Sequence, residues 1–506
     1  MNFKSPMNRR TFLGASASAA AALSVLPKNA IGKTGARAAG DKLRIGYIGC
    51  GTQGLHMLRG WLAHPEIHVS AVCDCNRNSQ DYIEWGKFSL RDMLREFLGD
   101  PEWGREDTGC RAGLEIGRLM VDHYYSAQTK SGKPPRCAAY EDYREMLEKE
   151  DLDGVCIMTP EHTHATIAIA AMNKKRHVIM HKPISNVLSE VRLAVETAKK
   201  AGVATHLFCA ADMQTTPLIT EWIQAGAIGP VREVIVWSNR PVWPQDLLTP
   251  VDTPSVPEGF NWDLWLGPAE YRPYHPMYAH TNFRAWYDFG TGTLGDMGHY
   301  CFFQVWKILR LGDASSVEAS SSTFYETRDG VSVKMENAVS FPRSSRVTWE
   351  FPARGDMPPV TINWTDGGIR PPKLRELEMD GRDMPPEGLL FVGDKGKILA
   401  DFIGDGPRLI PEKKMKEFVR PPETLERPID EMDQWIRACK GGRPSDARFE
   451  VLQPINETLL LGTIAQRIPD QLNWDAEAMR FRNSDAANDL LYRKYRKGWE
   501  LPIRRS

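Results

Sequence analysis

Lys42-Leu43-Arg44-Ile45-Gly46-Tyr47-Ile48 runs directly into Gly49-Cys50-Gly51-Thr52-Gln53-Gly54, and this junction decides how the chain folds. The residues before Gly49 read as a buried strand and residues 55–63 as a helix, which puts the glycines in the turn between them. A second apolar strand, 67–73, ends at Asp74, twenty residues past Gly54. Each part has a task in a dinucleotide site. Gly49 permits the tight turn, Gly51 lets the backbone approach a pyrophosphate, and Gly54 lets helix pack on strand. Thr52 and Gln53 lie in the turn as expected cofactor contacts, and the N-terminus of the helix that follows offers free N–H groups and a dipole that favour a phosphate. Asp74 can accept hydrogen bonds from ribose hydroxyls and would repel a 2′-phosphate. The pattern therefore favours NAD, with NADP possible if Arg77 swings into place. A glycine-rich turn without a ligand is the bland alternative.

Outward from this junction the strand–helix alternation continues. Strands are expected at 136–140, 154–158, 176–180 and 203–209, and helices at 141–149, 163–174 and 187–201. Repeated units of this length predict a doubly wound, mostly parallel sheet. Residues 77–135 interrupt it as a long, partly helical insertion. From Val231 the pattern changes to longer strands at 231–239, 315–325, 331–341, 346–351 and 360–364. A hairpin, 389–392 and 397–402, surrounds Gly393-Asp394-Lys395-Gly396. With late helices at 429–440 and 454–467, this predicts a large, mainly antiparallel open sheet covered by helices on one face. The expected fold class is α/β plus α+β, with a nucleotide domain at 41–209 and a substrate and oligomerisation domain at 210–506. The cleft between them is the expected active site.

The 506 residues carry 64 Lys plus Arg against 65 Asp plus Glu, which gives no footprint for nucleic acid. No stretch reaches the roughly 18 apolar residues of a membrane span. Asn8-Arg9-Arg10-Thr11-Phe12-Leu13-Gly14, an Ala/Ser-rich run to Leu26, and Ala36-Arg37-Ala38 resemble a twin-arginine export signal over 1–38. That implies a periplasmic protein, exported already folded by the twin-arginine machinery; a disordered tail is the alternative. Most of the nine cysteines sit in apolar runs, as small hydrophobes do. Cys110 and Cys137 are candidates to pair after export.

Three further motifs stand at strand ends or a helix start: Thr159-Pro160-Glu161-His162-Thr163-His164, Met180-His181-Lys182-Pro183, and Gly292-Thr293-Leu294-Gly295-Asp296-Met297-Gly298-His299-Tyr300. Together with the glycine turn they resemble the glucose–fructose oxidoreductase, inositol dehydrogenase and MocA (Gfo/Idh/MocA) family of NAD(P)-dependent sugar oxidoreductases. The resemblance implies a Rossmann domain followed by an open-sheet domain, with Thr159, Pro160, His164, His181 and Lys182 near the cofactor. The family's Glu-Lys-Pro is His181-Lys182-Pro183 here. Its Asp-x-x-x-His ends in Tyr300, with His299 beside it, as in the periplasmic glucose–fructose oxidoreductases. A metal reading of Glu161, His162 and His164 lacks a further ligand at recognisable spacing, so no metal is expected.

Chemistry gives these residues roles. Oxidising a sugar hydroxyl needs a base for its proton while hydride leaves the same carbon. A phenol titrates near ~10, and an adjacent ammonium lowers that value. Tyr300 is thus the expected acid/base, Lys182 the cation that tunes it, and Asp296 an orienting carboxylate, with His299 as the second candidate base. Between 239 and 288 the chain is dense in aromatics interleaved with polar groups, a composition suited to sugar faces, although such rings also simply pack. Arg240, Arg284 and Trp286 are the expected substrate contacts. The expected function is hydride transfer between the nicotinamide and a carbohydrate or glycoside hydroxyl or ketone, in a homo-oligomer joined through the C-terminal sheet. The alternatives are a glycosidase that retains NAD and works by transient oxidation and elimination, and a non-catalytic sugar- or nucleotide-binding protein.

Overall fold

The computed structural model describes residues 42–129, 136–208, 215–335 and 337–503. The expected export signal and Cys209 lie outside the described residues. The deciding junction folds as β1 (Leu43–Ile48) and α1 (Thr52–Ala63), followed by β2 (Ile67–Cys73). The insertion supplies β3 (Ser79–Tyr82), α2 (Ser89–Leu98), β4 (Cys110–Ala112) and α3 (Leu114–Gln128). Then come β5 (Ala138–Tyr140), α4 (Tyr143–Lys149), β6 (Gly154–Ile157), α5 (Glu161–Asn173), β7 (His177–His181), α6 (Leu188–Ala201) and β8 (Thr205–Phe208).

The first sheet has six strands in the order β5-β2-β1-β6-β7-β8, paired in parallel throughout. β6 and β8 are buried at every residue, as strands covered on both faces must be. Strand order reverses beside β1, so the crevice at its carboxyl end is where this architecture places a ligand.

The second half contains α7 (Thr215–Gln224), β9 (Val231–Trp237), α8 (Trp262–Leu266), α9 (Gly292–Leu309), β10 (Ser316–Ser321), β11 (Tyr325–Arg328), β12 (Val331–Lys334), β13 (Ser345–Phe351) and β14 (Val360–Thr365). It continues with α10 (Arg375–Met379), β15 (Gly388–Gly393), β16 (Gly396–Ala400), β17 (Arg408–Ile410), α11 (Glu412–Glu417), α12 (Glu431–Cys439), α13 (Phe449–Ala465), β18 (Leu472–Asp475), β19 (Arg480–Phe481) and α14 (Asp485–Asp489). Nine strands form one sheet, β17-β16-β15-β9-β14-β13-β10-β18-β19, antiparallel except where β9 meets β14. Burial alternates along β13 and β14, and the buried face packs under α9 and α13.

Two expectations are corrected. The 331–341 strand does not join this sheet: only β12 forms, paired with β11 as a separate two-stranded hairpin. Most of the hairpin's side chains, Val331 and Tyr325 included, are exposed, so it presents no buried apolar face to the core. Cys110 and Cys137 are both free thiols, buried as hydrophobes.

The two halves interlock. Trp435 of α12 sits in the first sheet's core, 5.8 Å from Trp61 between ring centres. The C-terminal tail folds back over α6, where fully buried Glu190 accepts from Ser185 Oγ at 2.6 Å, Arg493 Nε at 2.9 Å and Tyr495 Oη at 2.7 Å.

Candidate active site

The carboxyl edge of the first sheet opens into a cleft of about 1180 Å³, its mouth included. Gly49, Gly51, Thr52, Gln53, Gly54, Asp74, Thr159, Pro160, His164, His181 and Lys182 all line it. Gly49 has φ +100°, a conformation that side chains avoid, and a Cβ at Gly54 would fall 2.2 Å from the Gly49 carbonyl oxygen. Helix α1 starts at these glycines with no side-chain cap and no acidic residue in its first turn. Its N–H groups therefore remain available to an anion. The Asp74 carboxylate accepts from the Cys50 N–H at 2.6 Å and the Asn76 N–H at 2.8 Å, which ties β2 to the turn. Burial raises its pKa against those two hydrogen bonds. This donor set fits a dinucleotide.

Lys182 follows β7, and Asp296 lies in the second turn of α9. Their side chains meet in the interior: Lys182 Nζ lies 2.6 Å from Asp296 Oδ1 and also donates to the Asp296 carbonyl. Arg284 Nε donates to the same Oδ1 at 2.9 Å. Burial works against the Asp296 charge, but the two cations hold its carboxyl well below the usual range. Burial likewise opposes the Lys182 charge, and Asp296 reverses this and raises it. Tyr300, one helical turn after Asp296, puts its ring centre 4.8 Å from Lys182 Nζ. The phenol is nonetheless raised rather than lowered. Burial outweighs Lys182, whose charge Asp296 already balances, so the expected tuning is corrected.

His299 is 2% exposed and, like Asp296 and Tyr300, is not among the residues that line the cleft. Its Nδ1 donates to the Gly295 carbonyl at 2.7 Å and its Nε2 lies 3.1 Å from Asn456 of α13. Burial lowers it to about 4. The structure therefore corrects its reading as a second base, because its place on α9 faces α13. Trp286 and Arg240 are corrected as well. Trp286 is fully buried and its indole N–H donates to the Met277 carbonyl at 2.7 Å. Arg240 faces Glu387 at 3.6 Å and is absent from the cleft lining. The aromatic stretch builds its own core because rings bury more area against each other than against water; Trp262 and Trp265 stack at 4.6 Å. Arg284 alone of the three expected substrate contacts lines the cleft.

Glu161, His162 and His164 diverge. Glu161 Oε2 accepts from the Thr291 hydroxyl at 2.6 Å. His162 Nε2 lies 2.8 Å from the Trp265 carbonyl, and the two His164 nitrogens lie 2.7 Å and 2.8 Å from the Pro183 and Thr159 carbonyls. Among the described residues no group of three or more His, Cys, Asp or Glu is arranged to hold a metal. Nor is any described helix long and apolar enough to cross a membrane.

Sequence reading missed many of the lining residues, Tyr82, Trp85, Trp499 and Glu161 among them. Tyr82 and Trp85 come from the insertion, whose lack of pattern hid them. Trp499 arrives from the tail and carries no local signal. Glu161 lies in the 159–164 motif, where its spacing to His162 and His164 points only to a metal.

Residues 120–208 match the Gfo/Idh/MocA family model described as oxidoreductase family, NAD-binding Rossmann fold. Residues 237–342 match that family's C-terminal alpha/beta domain. A glycosyl hydrolase family 109 protein of Saccharopolyspora erythraea is 26% identical over 209 residues, covering 38% of this chain and 37% of the relative. A myo-inositol 2-dehydrogenase of Thermotoga maritima is 30% identical over 129 residues, 25% of this chain and 37% of that one. The chain thus spans well under half the length of these relatives. Among solved structures, the WlbA dehydrogenase of Bordetella pertussis, in complex with NADH and UDP-GlcNAcA, superposes with a TM-score of 0.51 at 14% identity, covering 86% of this chain and 99% of that one. The aldose-aldose oxidoreductase of Caulobacter crescentus, complexed with glycerol, gives 0.50 at 15% identity, covering 86% and 100%. At such identity these two establish the fold alone. Over these two stretches the chain is similar to both parts of the Gfo/Idh/MocA oxidoreductase family, the NAD-binding Rossmann domain and the C-terminal α/β domain.

Proposed function

We propose that the protein is an NAD-dependent oxidoreductase moving a hydride between the nicotinamide and a hydroxyl or ketone of a carbohydrate or glycoside. One observation carries this reading: a buried Lys182–Asp296–Arg284 cluster at the glycine-lined cleft, with the Tyr300 ring 4.8 Å from the lysine. Bound NAD supplies the hydride acceptor; the 49–54 turn and Asp74 would hold it. Tyr300 exchanges a proton with the reacting oxygen, Lys182 orients that oxygen, and Asp296 and Arg284 fix the lysine. A phenol raised by burial rests protonated, ready to protonate a carbonyl oxygen in the reducing direction. In the oxidising direction it must first give up its proton, so oxidation accelerates with rising pH. Replacing Tyr300 by Phe should lower turnover at least ~100-fold while nucleotide affinity stays the same. Near-normal turnover on a sugar panel, followed by NADH absorbance, would overturn the assignment. The Arg9-Arg10 motif supports export to the periplasm, which cell fractionation tests.

A second reading, a glycosidase that retains NAD, is favoured by a strap across the cleft. The Thr52 hydroxyl donates to the Ile83 carbonyl at 2.8 Å and the Trp85 indole to Gln53 Oε1 at 3.1 Å. The same segment reaches the opposite wall through Asp81, 3.0 Å from His280 Nε2, and through the Trp85 ring, 5.3 Å from the Arg284 guanidinium. A cofactor beneath such a strap exchanges slowly and has to be regenerated in place. Aglycone release with an unchanged nicotinamide spectrum would select this reading.

A further inference from the structure

Glu161 opens α5, lines the cleft and is 2% exposed. Its Oε2 is fixed by the Thr291 hydroxyl, whereas its Oε1 is buried with no hydrogen-bond partner. Three other elements bring charge toward it: Lys182 after β7, Arg284 in the 280–285 turn, and Asp296 in α9. Both cations bond Asp296 instead. The site therefore holds two cations, one settled anion and a carboxyl that makes no ion pair of its own. A dry carboxyl in that position favours its neutral form until a further positive charge arrives. The nicotinamide ring carries such a charge when oxidised and loses it on accepting a hydride.

We propose that Glu161 is the counter-charge of the oxidised nicotinamide, neutral on the acid side of neutrality both in the empty cleft and beside NADH, and ionised beside NAD. This rests on the reading that the cleft takes NAD. When NAD binds, the O–H bond of the Glu161 carboxyl breaks and its proton leaves to solvent. When substrate hydride neutralises the ring, a proton returns to the carboxylate.

Burial, reinforced by Asp296, raises Glu161 to about 7, while Lys182, Arg284 and the Thr291 hydroxyl pull downward. Six neighbouring titratable side chains stay in one state around neutrality. Burial holds His162 at about 3, His164 at about 4 and His181 well below its usual value. Asp296 is held low, and Lys182 and Tyr300 high. His280 shares the Arg284 turn and is bound to Asp81, so a Glu161 variant is needed to separate the two.

The test is calorimetric binding of NAD and of NADH at about pH 6 and pH 8. For one proton released from a group at about 7, NAD affinity should rise roughly tenfold across that interval while NADH affinity stays level. Glu161→Gln, which keeps the side chain's shape, should bind both nucleotides with no pH slope and hold NAD near the weaker, acid-side affinity. Wild-type titrations in two buffers of different ionisation enthalpy should also release up to about one proton per NAD near pH 6 and about none per NADH. Equal pH dependence for NAD and NADH, or a slope that persists in Glu161→Gln, overturns the proposal and leaves the oxidoreductase reading standing. Failure of either nucleotide to bind at millimolar concentration overturns both.

Discussion

Lys182 is 2% exposed, and its ammonium is tolerated there because Asp296 meets it at 2.6 Å. Replacing Lys182 by Met leaves the Asp296 carboxylate buried with Arg284 as its remaining cation. Removing one partner of a buried pair costs about 3 kcal/mol. The sign with pH follows from the depressed Asp296 pKa. A depressed carboxyl contributes stability above its unfolded pKa and loses it as pH falls through the folded one. In Lys182→Met the folded pKa moves up, so urea unfolding should show the variant weakening at a higher pH than the wild type. Equal acid sensitivity would contradict this. Among single residues, the glycines, Asp74 and Lys182 were readable in sequence because each stands at a fixed distance from a strand end. Trp286 and His299 were not, because which side of a turn or helix faces the cleft depends on what packs behind it.

At the scale of elements, the β1–α1 turn brings backbone within reach of backbone. Gly54→Ala would drive a Cβ to 2.2 Å from the Gly49 carbonyl oxygen, so α1 must shift. Such overpacking costs ~1–3 kcal/mol, and NAD affinity should fall with it. Gly60 in the same helix is the control: a Cβ there meets nothing within 4 Å, and Gly60→Ala should stabilise by ~0.5–1 kcal/mol. Thermal melts and nucleotide titration of the pair check both; similar effects at the two positions would refute the argument. The parallel strands were legible as short apolar runs. The β11–β12 hairpin was misread because a β-branched, polar run looks the same whether or not a sheet receives it.

Across the whole molecule, the insertion and the tail both return to the cleft. Trp85 joins Gln53 on one wall to Arg284 on the other. Trp85→Ala should release NAD about tenfold faster, equivalent to ~1.4 kcal/mol, in a displacement experiment. An unchanged release rate would remove the strap from the account. The sequence by itself determined that a dinucleotide fold precedes an open sheet, since periodicity and turn glycines are local and dictate backbone geometry directly. It also pointed to Lys182, Asp296 and Tyr300 as one group, through motifs at strand and helix ends and the family they resemble. Only the tertiary structure decided that Glu161 is buried beside two cations already committed to Asp296, and that Tyr82, Trp85 and Trp499 line the cleft. Burial and charge balance are sums over chain segments hundreds of residues apart, and no local pattern carries them.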